Sequence, residues 1–192
     1  MAKTDGYGFE FVRHMKPGQK PATLEVILGN SVGAMAVGET CEWNGAGYLD
    51  VCAPDTAHLG VIQGFVTEKG ENIFKTNESL GGTLSGDDTY TAASDNITVD
   101  KVKAVVVVDD FALFQATADS SLTQAEVGLW FLGLANTNTS SDGVTGAGAA
   151  WSVGTQDFQL VELVTIDGTG AAATTQGLFR LGRSQLLNDV TA

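Results

Sequence analysis

The chain has 192 residues, of which 43% are hydrophobic and only 17% charged, with 24 glycines and 3 prolines. That length holds one full core, or one core with a smaller satellite, and a charge-poor composition high in Gly, Ala, Thr, Ser and Val favours a turn-rich β protein over a helical one. A formal net charge of −13 opposes nucleic-acid binding, because the phosphates would repel the body.

The charge is unevenly spread. Lys3, Arg13, Lys16 and Lys20 stand against Asp5 and Glu10, so residues 1–21 are net +2 and the remainder is net −15. Within this segment Tyr7, Phe9 and Phe11 alternate with Gly8 and Glu10, a strand-like period of two. Pro17, Gly18 and Pro21 then break regular structure and leave a tether. Two readings stay open for the strand-like part: an extended arm that adds to a neighbouring subunit, or the first edge strand of the chain's own sheet. His14 has no ligand partner in the sequence and is expected at the surface. Asp5, Glu10, Arg13 and Lys16 interrupt any signal-peptide apolar region, and no apolar run of about 18 residues exists for a membrane span. The expectation is a protein folded in a cytoplasm, with Cys41 and Cys52 reduced.

From Leu24 to Phe74 the sequence reads as short strands punctuated by glycine, the pattern of a barrel or sandwich. Asn44-Gly45-Ala46-Gly47 marks a hairpin turn. Pairing Trp43 with Asp50 would set Cys41 opposite Cys52, which makes a cross-strand disulfide conceivable and a reduced pair on one face the preferred reading. His58, single and at the start of a strand, is read as structural. Residues 77–100 are polar and turn-rich; Asp87, Asp88 and Asp95 have loop chemistry that suits Ca²⁺, but their spacing misses the EF-hand template and a solvated loop is preferred.

The strongest structural signal runs from Val102 to Ala118. Val105 to Val108 are four β-branched residues in a row, suited to a strand buried on both faces. Asp109-Asp110 then reads as a tight acidic corner before a second core strand at Phe111 to Gln115. Ser120 or Ser121 is a candidate cap for a short helix through Gln124 to Val127. Residues 136–148 read as a long exposed loop, and 155–166 and 177–187 as further strands.

These elements predict an all-β fold, a barrel- or sandwich-like body with a basic extended N-terminal arm. The expected divisions are an arm at 1–21, a first β subdomain at 22–76, a linker or loop at 77–100 and a second β subdomain at 101–192. Catalytic constellations do not assemble. The two histidines have no nucleophile motif beside them, adjacent Asp109 and Asp110 would face opposite ways on a strand, and no phosphate- or dinucleotide-binding fingerprint precedes a helix. The chain is therefore read as a non-enzyme without cofactor or metal.

The run WNGAGYLDVCAPDTAHLGVIQGFV, residues 43–66, resembles a segment of tailed-bacteriophage capsid decoration, or cement, proteins. The run VVVVDDFALFQATADSSLTQAEVGLWFLG from Val105, followed by the Thr/Ser/Gly loop and DFQLVELV, is similar to phage virion proteins in its order of elements. The resemblance covers residues 24–183 and is one of pattern. It implies a virion protein on the capsid exterior, made in the host cytoplasm, that joins the major capsid protein, acts as a homo-oligomer such as a trimer, and needs neither membrane nor nucleic acid. On that reading Phe9, Phe11, Arg13, Lys16 and Lys20 anchor the arm on a neighbouring chain, and deleting residues 1–20 abolishes capsid binding while leaving a folded body. The competing expectation is a carbohydrate- or receptor-binding module of a head or tail fibre, with Trp43, Tyr48, Tyr90 and Trp151 as stacking platforms.

Overall fold

A computed structural model of the chain describes residues 9–28, 35–52, 57–67, 89–90, 102–131, 158–164, 173–182 and 186. Asp87, Asp88 and Asp95, the long loop expected at 136–148 and Trp151 lie outside these residues, as does the segment before Phe9.

The fold is all-β. Among the described residues twelve strands run in chain order: β1 (Glu10–His14), β2 (Thr23–Ile27), β3 (Met35–Ala36), β4 (Thr40–Trp43), β5 (Leu49–Val51), β6 (Gly60–Thr67), β7 (Thr89–Tyr90), β8 (Val102–Val107), β9 (Ala112–Thr123), β10 (Trp130–Phe131), β11 (Phe158–Leu163) and β12 (Ala173–Leu181). They form two antiparallel five-stranded sheets, in the orders β2-β8-β6-β4-β5 and β1-β9-β12-β11-β10, with β3 and β7 paired apart.

The first sheet curls. A parallel bridge joins Leu28, just past β2, to Leu49 in β5, so the two outermost strands meet. The curl encloses Val26, Leu28, Cys41, Leu49, Leu59, Ile62, Phe65, Ala104 and Val106, all buried. Its outer wall turns Val61 and Val107 onto the second sheet, where Phe114, Phe131, Phe158 and Phe179 complete a second core. Strands β6 and β8 therefore carry apolar side chains on both faces. That is why Val105 to Val108 reads as an unbroken apolar run and not as an alternation.

The acidic corner is where the chain changes sheets. β8 lies at the heart of the first sheet, between β2 and β6, whereas β9 lies in the second, between β1 and β12. The expected division at residues 77–100 thus does not separate the sheets, because β8 follows that stretch and pairs with both β2 and β6. Strand signals are local, but the choice of partner is made by the core, and a strand apolar on both faces belongs at a sheet centre.

Two local expectations are corrected. Ser120 and Ser121 lie within β9, and the helical turn is a 3₁₀ segment, Gln124–Glu126, that begins after Thr123. There the Glu126 carboxylate accepts hydrogen bonds from the Thr123 N–H (2.5 Å) and Oγ–H (3.0 Å). In the hairpin, Trp43 faces Leu49 and Cys41 faces Val51, one residue out of the expected register. Because side chains alternate along a strand, that single step sends the two thiols to different environments. Cys41 points into the curled sheet, Cys52 lies outside that cluster, and the two are not joined in a disulfide.

Candidate functional site

Strand β1 is the edge of the second sheet, so the described part of the N-terminal segment adopts the edge-strand reading. It pairs with β9 through Glu10–Gln115, Phe11–Phe114, Arg13–Leu113 and His14–Ala112, with a bulge at Val12. Phe9, just before it, is buried in the chain's own core. Its ring stacks on Phe158 (centroids 4.4 Å apart) and meets Phe114 and Phe179 edge-on, each at 6.3 Å. Its N–H donates to the Gly38 carbonyl at 2.8 Å. Phe11, half-buried, sets its ring edge-on to Phe114 at 6.1 Å. Deleting residues 1–20 would therefore open an aromatic core as well as remove the basic groups, and side-chain replacement is the cleaner test.

The polar residues of the segment go elsewhere. Arg13 pairs with Glu162 across the outer face of the second sheet, both side chains being about half exposed. An exposed pair of this kind contributes roughly 0–1 kcal/mol. Residues 16–19 form a turn in which the Gln19 N–H donates to the Lys16 carbonyl (3.3 Å), with Gly18 at a φ of 76° that suits glycine. This turn holds Lys16 Nζ 4.7 Å above the Phe111 ring. Lys20 is exposed. Neither lysine has a carboxylate partner among the described residues.

Around these cations the surface is apolar. Val12 is 46% exposed, Met15 43% and Phe111 44%. An open cleft of about 600 Å³ runs between the β1 end and the 16–19 turn, over Leu113 and Val161. Its lining is mixed, with Phe11, Val12, Met15 and Pro17 beside Arg13, His14 and Gln19.

His14, expected at the surface, fixes this surface from beneath. Its side chain is buried, with Nε2 3.2 Å from Asp109 Oδ2 and Nδ1 accepting from the Lys16 N–H at 2.9 Å. Asp109 is the hub of the corner: Oδ1 accepts from the Phe111 N–H (2.9 Å) and Oδ2 from the Ala22 N–H (3.1 Å). Burial pushes the Asp109 carboxyl up, but the Phe111 and Ala22 amides together with His14 outweigh it and hold the group below the usual carboxylate range. Its neighbour Asp110 is raised by burial and by Asp109, against the lowering effect of Arg180. Since ionised Asp109 is favoured in the folded state, its contribution is present above the unfolded carboxylate pKa, about 4, and is lost as pH falls through the lower folded value. Asp109→Asn is expected to cost about 1–3 kcal/mol at neutral pH and to flatten the acid limb of the stability curve. Urea unfolding from pH 7 to pH 3 checks both. An unchanged acid limb would mean that the corner is not held by this carboxylate.

A second polar cluster escaped the sequence reading. Cys52 follows β5 and His58 precedes β6, and both elements pair with the same strand, β4: the Cys52 N–H donates to the Thr40 carbonyl, and Thr40 faces Val61. Cys52 Sγ then lies 2.7 Å from His58 Nδ1, and the thiol reaches Glu42 Oε2 at 3.7 Å. The only signal in the sequence was the six-residue spacing across a strand crossing, and that is not specific. Both residues are buried and the imidazole leans on Phe158, with centroids 5.0 Å apart, so this is a sealed contact between the two sheets. Cys41 is equally enclosed, and burial, reinforced by Cys52, pushes its thiol well up. Among the described residues no cluster of three or more His, Cys, Asp or Glu could hold a metal ion.

The aromatic platforms of the competing expectation divide. Trp43 and Tyr48 are exposed on the β4–β5 hairpin. Tyr90 is in β7 opposite Met35. Comparison of the chain with protein-family models, with curated proteins and with solved structures finds no match.

Proposed function

We propose that this chain is a virion structural protein that binds the outer surface of an assembled phage capsid and stabilises it by bridging subunits. The reading is supported by one observation above the rest: an acidic two-sheet body holds Lys16 and Lys20, uncompensated by carboxylates among the described residues, beside exposed Met15 and Phe111. A capsid cement needs no chemistry of its own. It needs a body that does not deform, a contact surface and a way to match a symmetric lattice, which homo-oligomers supply. The test is cryo-electron microscopy of virions together with mass spectrometry of their proteins. Stoichiometric density on the capsid exterior is the expected result, and absence of the chain from capsids sinks the reading.

Trp43 and Tyr48, exposed on the β4–β5 hairpin, favour a second reading as a carbohydrate- or receptor-binding module of a head or tail fibre. Glycan-array binding that is lost in Tyr48→Ala would turn the assignment toward it.

A further inference from the structure

We infer that His14 is a pH-sensitive latch on the turn at residues 16–19: the neutral imidazole holds the Lys16 N–H, and the protonated one gives up that N–H and takes the Lys16 carbonyl instead. This goes beyond the capsid reading and does not depend on it, since every group involved belongs to one chain.

The tautomer follows from the partners. His14 Nε2 faces Asp109 Oδ2 at 3.2 Å. An ionised carboxylate only accepts, and Asp109 is held ionised at neutral pH, so Nε2 carries the proton of the neutral ring. The lone pair of Nδ1 is then left to accept from the Lys16 N–H at 2.9 Å. The Lys16 carbonyl lies 3.2 Å from the same Nδ1, but two acceptors facing each other gain nothing in this state.

Adding a proton reverses the balance. Histidine is the side chain whose ordinary charge change falls between about pH 5 and 8, and the added proton must go on Nδ1. Two N–H donors would then face each other across 2.9 Å, while the carbonyl at 3.2 Å becomes the acceptor within reach. The Nε2–H bond to Asp109 survives and becomes charge-assisted, so the ring keeps its place and the turn has to move. Among the described residues Asp109 is the one ionic partner of the ring. The other charged groups nearby are Asp110 beside it at the corner, Lys16 and Lys20 in and after the turn, and Arg13, which Glu162 of β11 holds; Arg180 of β12 acts on Asp110.

The turn is placed to yield. The Met15 N–H is tied to the Phe111 carbonyl at 2.8 Å, which fixes the end of the strand, whereas the turn closes on a longer bond, from the Gln19 N–H to the Lys16 carbonyl at 3.3 Å. Gly18 takes a φ of 76°, and a Cβ there would meet nothing within 4 Å, which leaves room for the backbone to rotate. Through Lys16 the movement reaches the surface, because Lys16 Nζ sits 4.7 Å above the Phe111 ring beside exposed Met15. The surface at Met15, Lys16 and Phe111 therefore has two arrangements, chosen by pH.

NMR of the isotope-labelled full chain, from about pH 8 to about pH 5, tests the latch. The chain has two histidines, and His14→Gln, which cannot change charge, identifies the signals of His14; if that variant does not fold, sequential assignment of the wild-type chain does the same. Expected are an Nε2–H imidazole at the alkaline end, protonation of Nδ1 on the way down, and in step with it a roughly fivefold loss of Lys16 amide protection, corrected for the intrinsic pH dependence of exchange. The amides paired between β9 and β12 should keep their protection, and Asp110→Asn should leave the transition in place. An Nδ1–H imidazole at the alkaline end, a His14 still neutral at the acid end, or a Lys16 amide that is indifferent while His14 takes up its proton overturns the inference. So does a transition that survives His14→Gln or vanishes in Asp110→Asn, since the switch would then be the carboxyl and not the imidazole.

Discussion

Gly60→Ala is expected to destabilise the fold by about 3 kcal/mol or more, the upper end for a group forced into a packed interior, whereas Gly45→Ala should be nearly silent. A Cβ at Gly60 would lie 2.1 Å from the Val107 carbonyl oxygen, 2.7 Å from Val106 Cγ1 and 2.9 Å from the Val107 carbonyl carbon. The nearest of these atoms is backbone and cannot rotate away. Val107 is also fixed on both sides, by Thr23 of β2 and Val61 of β6, so relief requires moving the centre of the first sheet. Gly60 itself faces Cys41, whose thiol donates to the Gly60 carbonyl at 3.5 Å, which ties the same point to β4. At Gly45 an added Cβ meets nothing within 4 Å. Urea midpoints for the two variants decide the matter, since equal slopes let the midpoint shift be read as stability. If both variants unfold at the same urea concentration, β6 and β8 do not approach as described.

That close approach explains part of what the sequence could and could not disclose. Gly60 was legible as punctuation between short strands, but the need for a missing side chain there arises from Val107, 47 positions away. The valine run and the acidic corner were legible because both are local: β-branched residues report an extended buried segment, and Asp109 accepts from the Phe111 N–H two residues on. What the corner joins was not legible. Nothing in the Val102 to Ala118 sequence says that the strand before it enters one sheet and the strand after it another. The same limit applies to the site. Phe9 and Phe11 showed strand periodicity, but an edge strand looks alike whether it docks on its own chain or on a neighbour. His14 was assigned to the surface because its partner, Asp109, is 95 positions distant. The hairpin was found and its register missed by one residue, since the loop closes at Asn44 and Tyr48, and that step decided where both thiols point.

Phe158→Ala is the second large effect, and it also decides where the N-terminal strand belongs. Phe158 opens β11, is wholly buried, faces Leu181 and Phe131 in the ladders on either side, and carries Phe9 stacked on its ring. Its neighbours are held by two sheets and cannot collapse into the space left, so transfer and cavity terms add to about 3–5 kcal/mol. For a domain whose whole stability is of order 5–15 kcal/mol, such a loss lowers the melting temperature by roughly 10 °C. Phe9→Ala alone should cost a similar amount if Phe9 fills its own chain's core, and the two losses should not add. With Phe158 gone, Phe9 has lost the face it stacks on, so the double variant is expected to be more stable than the sum predicts by about 1 kcal/mol or more. A dilute sample, in which chains do not associate, makes this a measurement within one molecule. Strict additivity there would mean that Phe9 does not rest on Phe158 of its own chain, and the strand would have to find its aromatic partners on a neighbour instead.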